Sequence, residues 1–186
     1  LKANDIEHGP IECVFTRDEE TGLTGAFEMK PGFMSGDYLI NLDSEDEGQL
    51  FVSCAGGVRT EATYTVEEVQ LPEGFSTFNF VVKGLTGGHS GDDINKNRAN
   101  ANKLLVRFLL EQCEKTDLRL CDIQAGGLHN AIPREAHATV AVPTAYAATF
   151  VTELEAFVAK VREEFSVTEP DLTAALEAVD TASTCI

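Results

Sequence analysis

Apolar and polar positions follow two different periods along this chain. From residue 58 the period is two: Val58, Thr60, Ala62, Tyr64 and Val66 fall on one side and Arg59, Glu61, Thr63, Thr65 and Glu67 on the other. That is the pattern of an antiparallel strand with one wetted face. Phe78, Phe80 and Val82 repeat it, as do Ala136, Ala138, Val140 and Val142 against Glu135, His137 and Thr139. Between these strands the period lengthens. Ala101, Leu105, Phe108 and Leu109 stand at helical spacing, and Phe150, Leu154, Phe157, Val158, Val161 and Phe165 form a longer stripe, so helices are predicted over 97–115 and 145–165. Pro143 stops the strand before the second helix, and Thr144 is placed to cap that helix. Leu172 to Val179 fits strand or helix equally well. The order strand, helix, strand, strand, helix, final element is that of a split βαβ sandwich. The predicted class is therefore α+β, ferredoxin-like, an antiparallel sheet with two helices on one face.

Before Gly56 the texture differs. Ile11 to Thr16 and Tyr38 to Leu42 are apolar on both faces, which suits strands covered on both sides, and Gln49 to Cys54 reads as a third. Glu20 to Lys30 is the one helical candidate among them. Three strands with at most one full helix cannot cover two sheet faces. Residues 1–55 thus read as a remnant of an α/β domain, and 56–186 as a separate module.

Composition narrows the class of partner. The chain has 186 residues, 43% of them hydrophobic, an ordinary globular make-up that can bury about 70% of the unfolded surface. Lys and Arg number 14 against 31 Asp and Glu, a net charge of −17, which argues against nucleic acid and anionic lipid as partners. No run approaches the roughly 20 apolar residues of a membrane span. Cysteines at 13, 54, 113, 121 and 185 include no C-x-x-C pair, so neither a disulfide framework nor a zinc knuckle is indicated, and reduced thiols in a cytoplasmic protein are expected.

Four clusters carry candidate chemistry. Arg17-Asp18-Glu19-Glu20-Thr21-Gly22 sets three carboxylates at a predicted strand end. They are either a solvated acidic turn or a divided pair, one binding a cation while its neighbour takes a proton. Asn41-Leu42-Asp43-Ser44-Glu45 ends the next strand with another carboxylate, where α/β sites gather their ligands, although Asp is also a common turn residue. Gly84-Leu85-Thr86-Gly87-Gly88-His89-Ser90-Gly91-Asp92 holds one imidazole in a glycine-rich turn, a suitable donor to a developing oxyanion or simply an exposed histidine. Gly126-Gly127-Leu128-His129-Asn130-Ala131-Ile132-Pro133-Arg134-Glu135 offers Asn130 to hydrogen-bond a substrate and Arg134 to grip a carboxylate, unless it is only a pinned connection.

Taken in this order and spacing, FTRDEETG, NLDSEDEG, CAGG, GLTGGHSGDDI followed by NRANANKLL, and GGLHNAIPREA resemble metallo-dipeptidases of the aminoacyl-histidine dipeptidase type, within the di-zinc aminopeptidase and carboxypeptidase clan. The resemblance implies a split βαβ lid over 56–186 and a partial catalytic domain over 1–55. It implies Glu19 as general base, Glu20 and Asp43 as ligands of two different zinc ions, and His89 as a lid histidine that steadies the tetrahedral intermediate. Other divalent metals remain compatible with such carboxylates. Asn130 and Arg134 are implied near a dipeptide substrate, and a homodimer through the lid is implied as the assembly. An upstream His-x-Asp and further ligands that such a centre needs are not among these residues: His8 is followed by Gly9 and Pro10. The chain alone is accordingly expected to be the inactive central portion of an enzyme. The competing expectation is an α+β ligand-binding or dimerisation module without peptidase activity, since fold does not fix function.

Overall fold

A computed structural model describes residues 5–43, 46–54, 56–179 and 182–186, and the chain divides into two compact units, Leu1–Glu61 and Ala62–Ile186. Ser44 and Glu45 of the second acidic cluster lie outside the described residues.

In the first unit the regular elements are two single helical turns, α1 (Glu19–Gly22) and α2 (Thr24–Phe27). The longer helix expected over 20–30 is broken at Leu23, which has a φ of 58° between the turns. Thr-Gly pairs at 21–22 and 24–25 and the lack of any buried residue on either turn leave little to hold a continuous helix together. The strands expected at 11–16, 38–42 and 49–54 do not form ladders among the described residues. Their side chains are largely exposed, Phe15 at 91% and Tyr38 at 92%. A strand cannot satisfy its own backbone, and no neighbouring strand is supplied here.

The second unit is organised around a four-stranded sheet. Its strands are β2 (Phe75–Lys83), β4 (Arg119–Ala125), β6 (Ala136–Pro143) and β7 (Thr173–Ala178), ordered β4-β6-β2-β7 with every neighbour antiparallel. Two helices, α3 (Ala101–Cys113) and α4 (Ala147–Glu164), occupy the crossovers, so the split βαβ topology is present. Residues 172–179, open between strand and helix, resolve as the edge strand β7. Two shorter ladders complete the unit: β1 (Val69–Gln70) with β8 (Thr184–Cys185), and β3 (Gly88–His89) with β5 (Ala131–Ile132). The alternation over 58–67, in contrast, yields no strand; this segment is exposed and enters no ladder among the described residues.

The core sits where the period predicted. Phe80, Val82, Ala136, Ala138, Val140 and Val142 from the sheet meet Leu105, Phe108, Phe150, Leu154, Phe157 and Val161 from the helices in one buried cluster. Phe108 is its hub, with ring centroids 5.0 Å from Phe80, 5.3 Å from Phe150 and 5.2 Å from Phe157. Asn100 caps α3 by accepting a hydrogen bond from the Lys103 amide at 3.2 Å. Thr144, expected to cap α4, instead opens a 3-10 turn ahead of it, and its hydroxyl bonds Ser76 at 3.0 Å.

Candidate functional site

The glycine-rich turn leaves β2 and is bent back by Gly87, whose φ of +68° is costly for any residue with a Cβ. The bend lets β3 zip onto β5, with Gly88 opposite Ile132 and His89 opposite Ala131. Ser90 then donates its amide to the Asn130 carbonyl at 2.8 Å. Arg134 closes the same corner: its Nε donates to the Leu85 carbonyl at 3.0 Å, and the rest of its guanidinium has no protein partner among the described residues. His89, Asn130 and Arg134 are thereby gathered at one place in the second unit.

A methyl group on Gly87 would fall on the Arg134 side chain, with the Ile132 carbonyl 3.2 Å away. Gly87→Ala is therefore expected to cost about 1–2 kcal/mol from the left-handed backbone alone, and to dislodge Arg134 as well. Urea unfolding followed by circular dichroism checks the first effect; an unchanged midpoint contradicts it.

The imidazole of His89 is half-exposed and its orientation is defined by backbone. Nδ1 accepts hydrogen bonds from the amides of Gly91 at 3.1 Å and Asp92 at 3.2 Å. With its in-plane lone pair so occupied, Nδ1 carries no proton in the neutral ring, and the proton resides on Nε2 as a donor. The Asp92 carboxylate lies 3.7 Å from Nδ1 and is almost wholly in water, so it does not displace the two amides. The His89 amide donates to Asp93 Oδ2 at 2.7 Å. Asp93 also meets Lys96, and Arg98 at 3.1 Å, and the Lys96 hydrogen bond, the His89 amide and the Arg98 charge hold its carboxyl below the ordinary range.

One residue of this loop system is invisible to motif reasoning. Glu169, 3% exposed, accepts from the Thr86 amide at 2.6 Å through one carboxylate oxygen and from the Ala99 amide at 2.8 Å through the other. Its partners stand 83 and 70 positions earlier in the chain, and no spacing signal connects them.

The carboxylates of the first unit are arranged differently. Asp18 has a φ of 58° and pairs with Arg17 at 3.5 Å, and the turn it makes sends Glu19 and Glu20 into α1 with exposed side chains. Asp43 follows Asn41 in a local turn, its amide donating to the Asn41 Oδ1 at 2.9 Å. No group of three or more His, Cys, Asp or Glu side chains able to hold a metal ion is assembled among the described residues. Glu20 and Asp43 have the oxygen chemistry of metal ligands but are not part of a complete centre among the described residues.

The M20 peptidase dimerisation domain matches residues 74–169, the stretch that carries β2, the His89 loop, both helices and Glu169. The chain belongs to that family. The cytosol non-specific dipeptidase of Escherichia coli (strain K12) is 48% identical over 142 residues, which are 76% of this M20 chain and 29% of that relative. The crystal structure of an aminoacylhistidine dipeptidase from Vibrio alginolyticus superposes with a TM-score of 0.77 at 37% identity, covering 99% of this chain and 38% of the other. The chain thus spans well under half the length of the relatives it matches. No helix among the described residues is long and apolar enough to cross a membrane.

Proposed function

We propose that this M20 chain supplies the lid, and the carboxylates Glu19, Glu20 and Asp43 of the catalytic domain, of a zinc-dependent dipeptidase that hydrolyses dipeptides such as aminoacyl-histidine. The observation that carries this reading is the His89 corner, where an imidazole with Nδ1 committed to backbone keeps Nε2 as its donor on the β3–β5 ladder that Asn130 and Arg134 flank in the chain. Identity of 48% to a dipeptidase supports the same class.

In this reading Glu19 takes the proton of the attacking water and returns it to the leaving amine. Glu20 and Asp43 each contribute one carboxylate to a different zinc ion, with the remaining ligands drawn from sequence beyond these residues; zinc, when bound, polarises the peptide carbonyl and acidifies water. His89 donates to the oxyanion that forms at the attacked carbon, Asn130 hydrogen-bonds the substrate, and Arg134 receives its carboxylate. With no complete metal centre assembled among the described residues, the chain by itself is inactive in this reading. Dimerisation through the lid, supported by the family match, and a cytoplasmic setting, supported by the name of the Escherichia coli relative and by five free thiols, complete the proposal.

His89→Ala in the whole enzyme tests it. Loss of one oxyanion donor is expected to lower kcat by about 10²–10³-fold with zinc content unchanged. Unchanged kcat, or loss of zinc, overturns the role of the lid histidine.

A further inference from the structure

We infer that Glu169 is a positioning residue for His89, an inference that rests on the proposed role of the lid loop but can be tested apart from it. The loop from Thr86 to Ala99 is joined at its base by the Glu169 carboxylate, one oxygen on the amide that enters the loop and one on the amide that leaves it. Thr168 reinforces the joint: its carbonyl accepts from the Thr86 hydroxyl at 2.8 Å and its own hydroxyl donates to the Asn97 carbonyl at 3.0 Å. These contacts tie both ends of the loop to the connection between α4 and β7. Inside the loop, Arg98 Nη1 meets Asp93 at 3.1 Å and the Gly87 carbonyl at 2.5 Å, and Asp93 receives the His89 amide. The chain of contacts thus runs from Glu169 through the neighbours of Ala99 and Thr86 to the turn that places the Gly91 and Asp92 amides on His89 Nδ1.

A carboxylate suits this position where an amide does not. Two converging N–H donors need two acceptors, and Glu169 is buried, so water cannot replace a lost partner cheaply. In Glu169→Gln one backbone N–H faces the side-chain NH₂ group, donor against donor. The base of the loop then opens, the Gly91 and Asp92 amides drift from Nδ1, and the His89 proton is no longer confined to Nε2.

Long-range ¹H–¹⁵N spectra of the imidazole rings in this chain read that effect directly. Wild-type His89 is expected to show a single tautomer, protonated at Nε2, with Thr86 and Ala99 amides protected from hydrogen exchange. Glu169→Gln and Glu169→Asp are expected to average the two His89 nitrogens while His137, on the central strand β6, keeps its wild-type signals. Averaged nitrogens or rapidly exchanging Thr86 and Ala99 amides in the wild type overturn the inference, and these measurements hold even if neither variant folds. A fixed Nε2-protonated His89 in a folded variant overturns it as well. In the whole dipeptidase, Glu169→Gln is expected to lower kcat by up to about 10²-fold with KM nearly constant. A released tautomer with unchanged kcat leaves the positioning intact and removes His89 from the reaction; a fixed tautomer with reduced kcat removes the positioning.

Discussion

In the zinc-dependent dipeptidase proposed above, Glu19→Gln is expected to reduce kcat by about 10²–10⁴-fold while zinc content stays at the wild-type level. Glutamine has the shape of glutamate but cannot accept a proton at neutral pH, so the substitution removes proton transfer and little else. The local structure favours a clean result: Glu19 is exposed, stands in the first turn of α1, and contributes no buried contact that its loss would disturb. Glu20→Gln separates the neighbouring role. An amide oxygen carries no net charge to offset a cation, so this variant is expected to lose zinc, and activity with it. Metal analysis and kcat measured side by side on both variants decide the assignment. Near-normal kcat in Glu19→Gln shows that another group is the base, and full zinc occupancy in Glu20→Gln shows that the ligand lies elsewhere.

Helices and strands differed in how far the chain's periodicity revealed them, for a reason rooted in hydrogen bonding. A helix satisfies its backbone internally, so an apolar stripe such as Phe150, Leu154, Phe157 and Val161 suffices to predict α4 within a few residues. A strand must borrow its partner. The alternation over 58–67 is as clean as that of β2, yet only β2 has β6 and β7 on either side. Conversely β4 is a true strand whose alternation is interrupted where its pairing with β6 shifts register between Leu120 and Asp122, and so its residues carried no usable pattern. The site followed the same logic. Glycines flag the His89 turn and Gly126-Gly127 flags the Asn130 connection, but the β3–β5 pairing that joins them is a two-residue ladder with no period to read. Glu169 is harder still, a single carboxylate before Pro170 whose importance lies wholly in two amides far away in the chain.

Phe108→Ala is expected to destabilise the second unit by about 3–5 kcal/mol, the range for deleting a fully buried phenylalanine. Phe108 is 0% exposed and its ring contacts Phe80 on the sheet, Phe150 and Phe157 on α4, so its removal opens a cavity where both helices and the sheet meet. Three tilted aromatic contacts vanish together, each contributing roughly 0.5–1.5 kcal/mol beyond its area. Arg107, next in sequence, bridges to Glu164 at 2.8 Å and lies 5.7 Å from the Phe157 centroid, but exposed pairs of this kind contribute little and cannot compensate. Phe108→Leu keeps most of the volume and is expected to cost roughly 1–1.5 kcal/mol, as for swaps that nearly conserve it. The chain contains no tryptophan, so far-ultraviolet circular dichroism in urea is the suitable probe. A loss below about 1.5 kcal/mol for the alanine variant would mean that α3 and α4 collapse into the space, and that the helix–sheet interface is held by the aliphatic residues around Leu105 and Val140 instead.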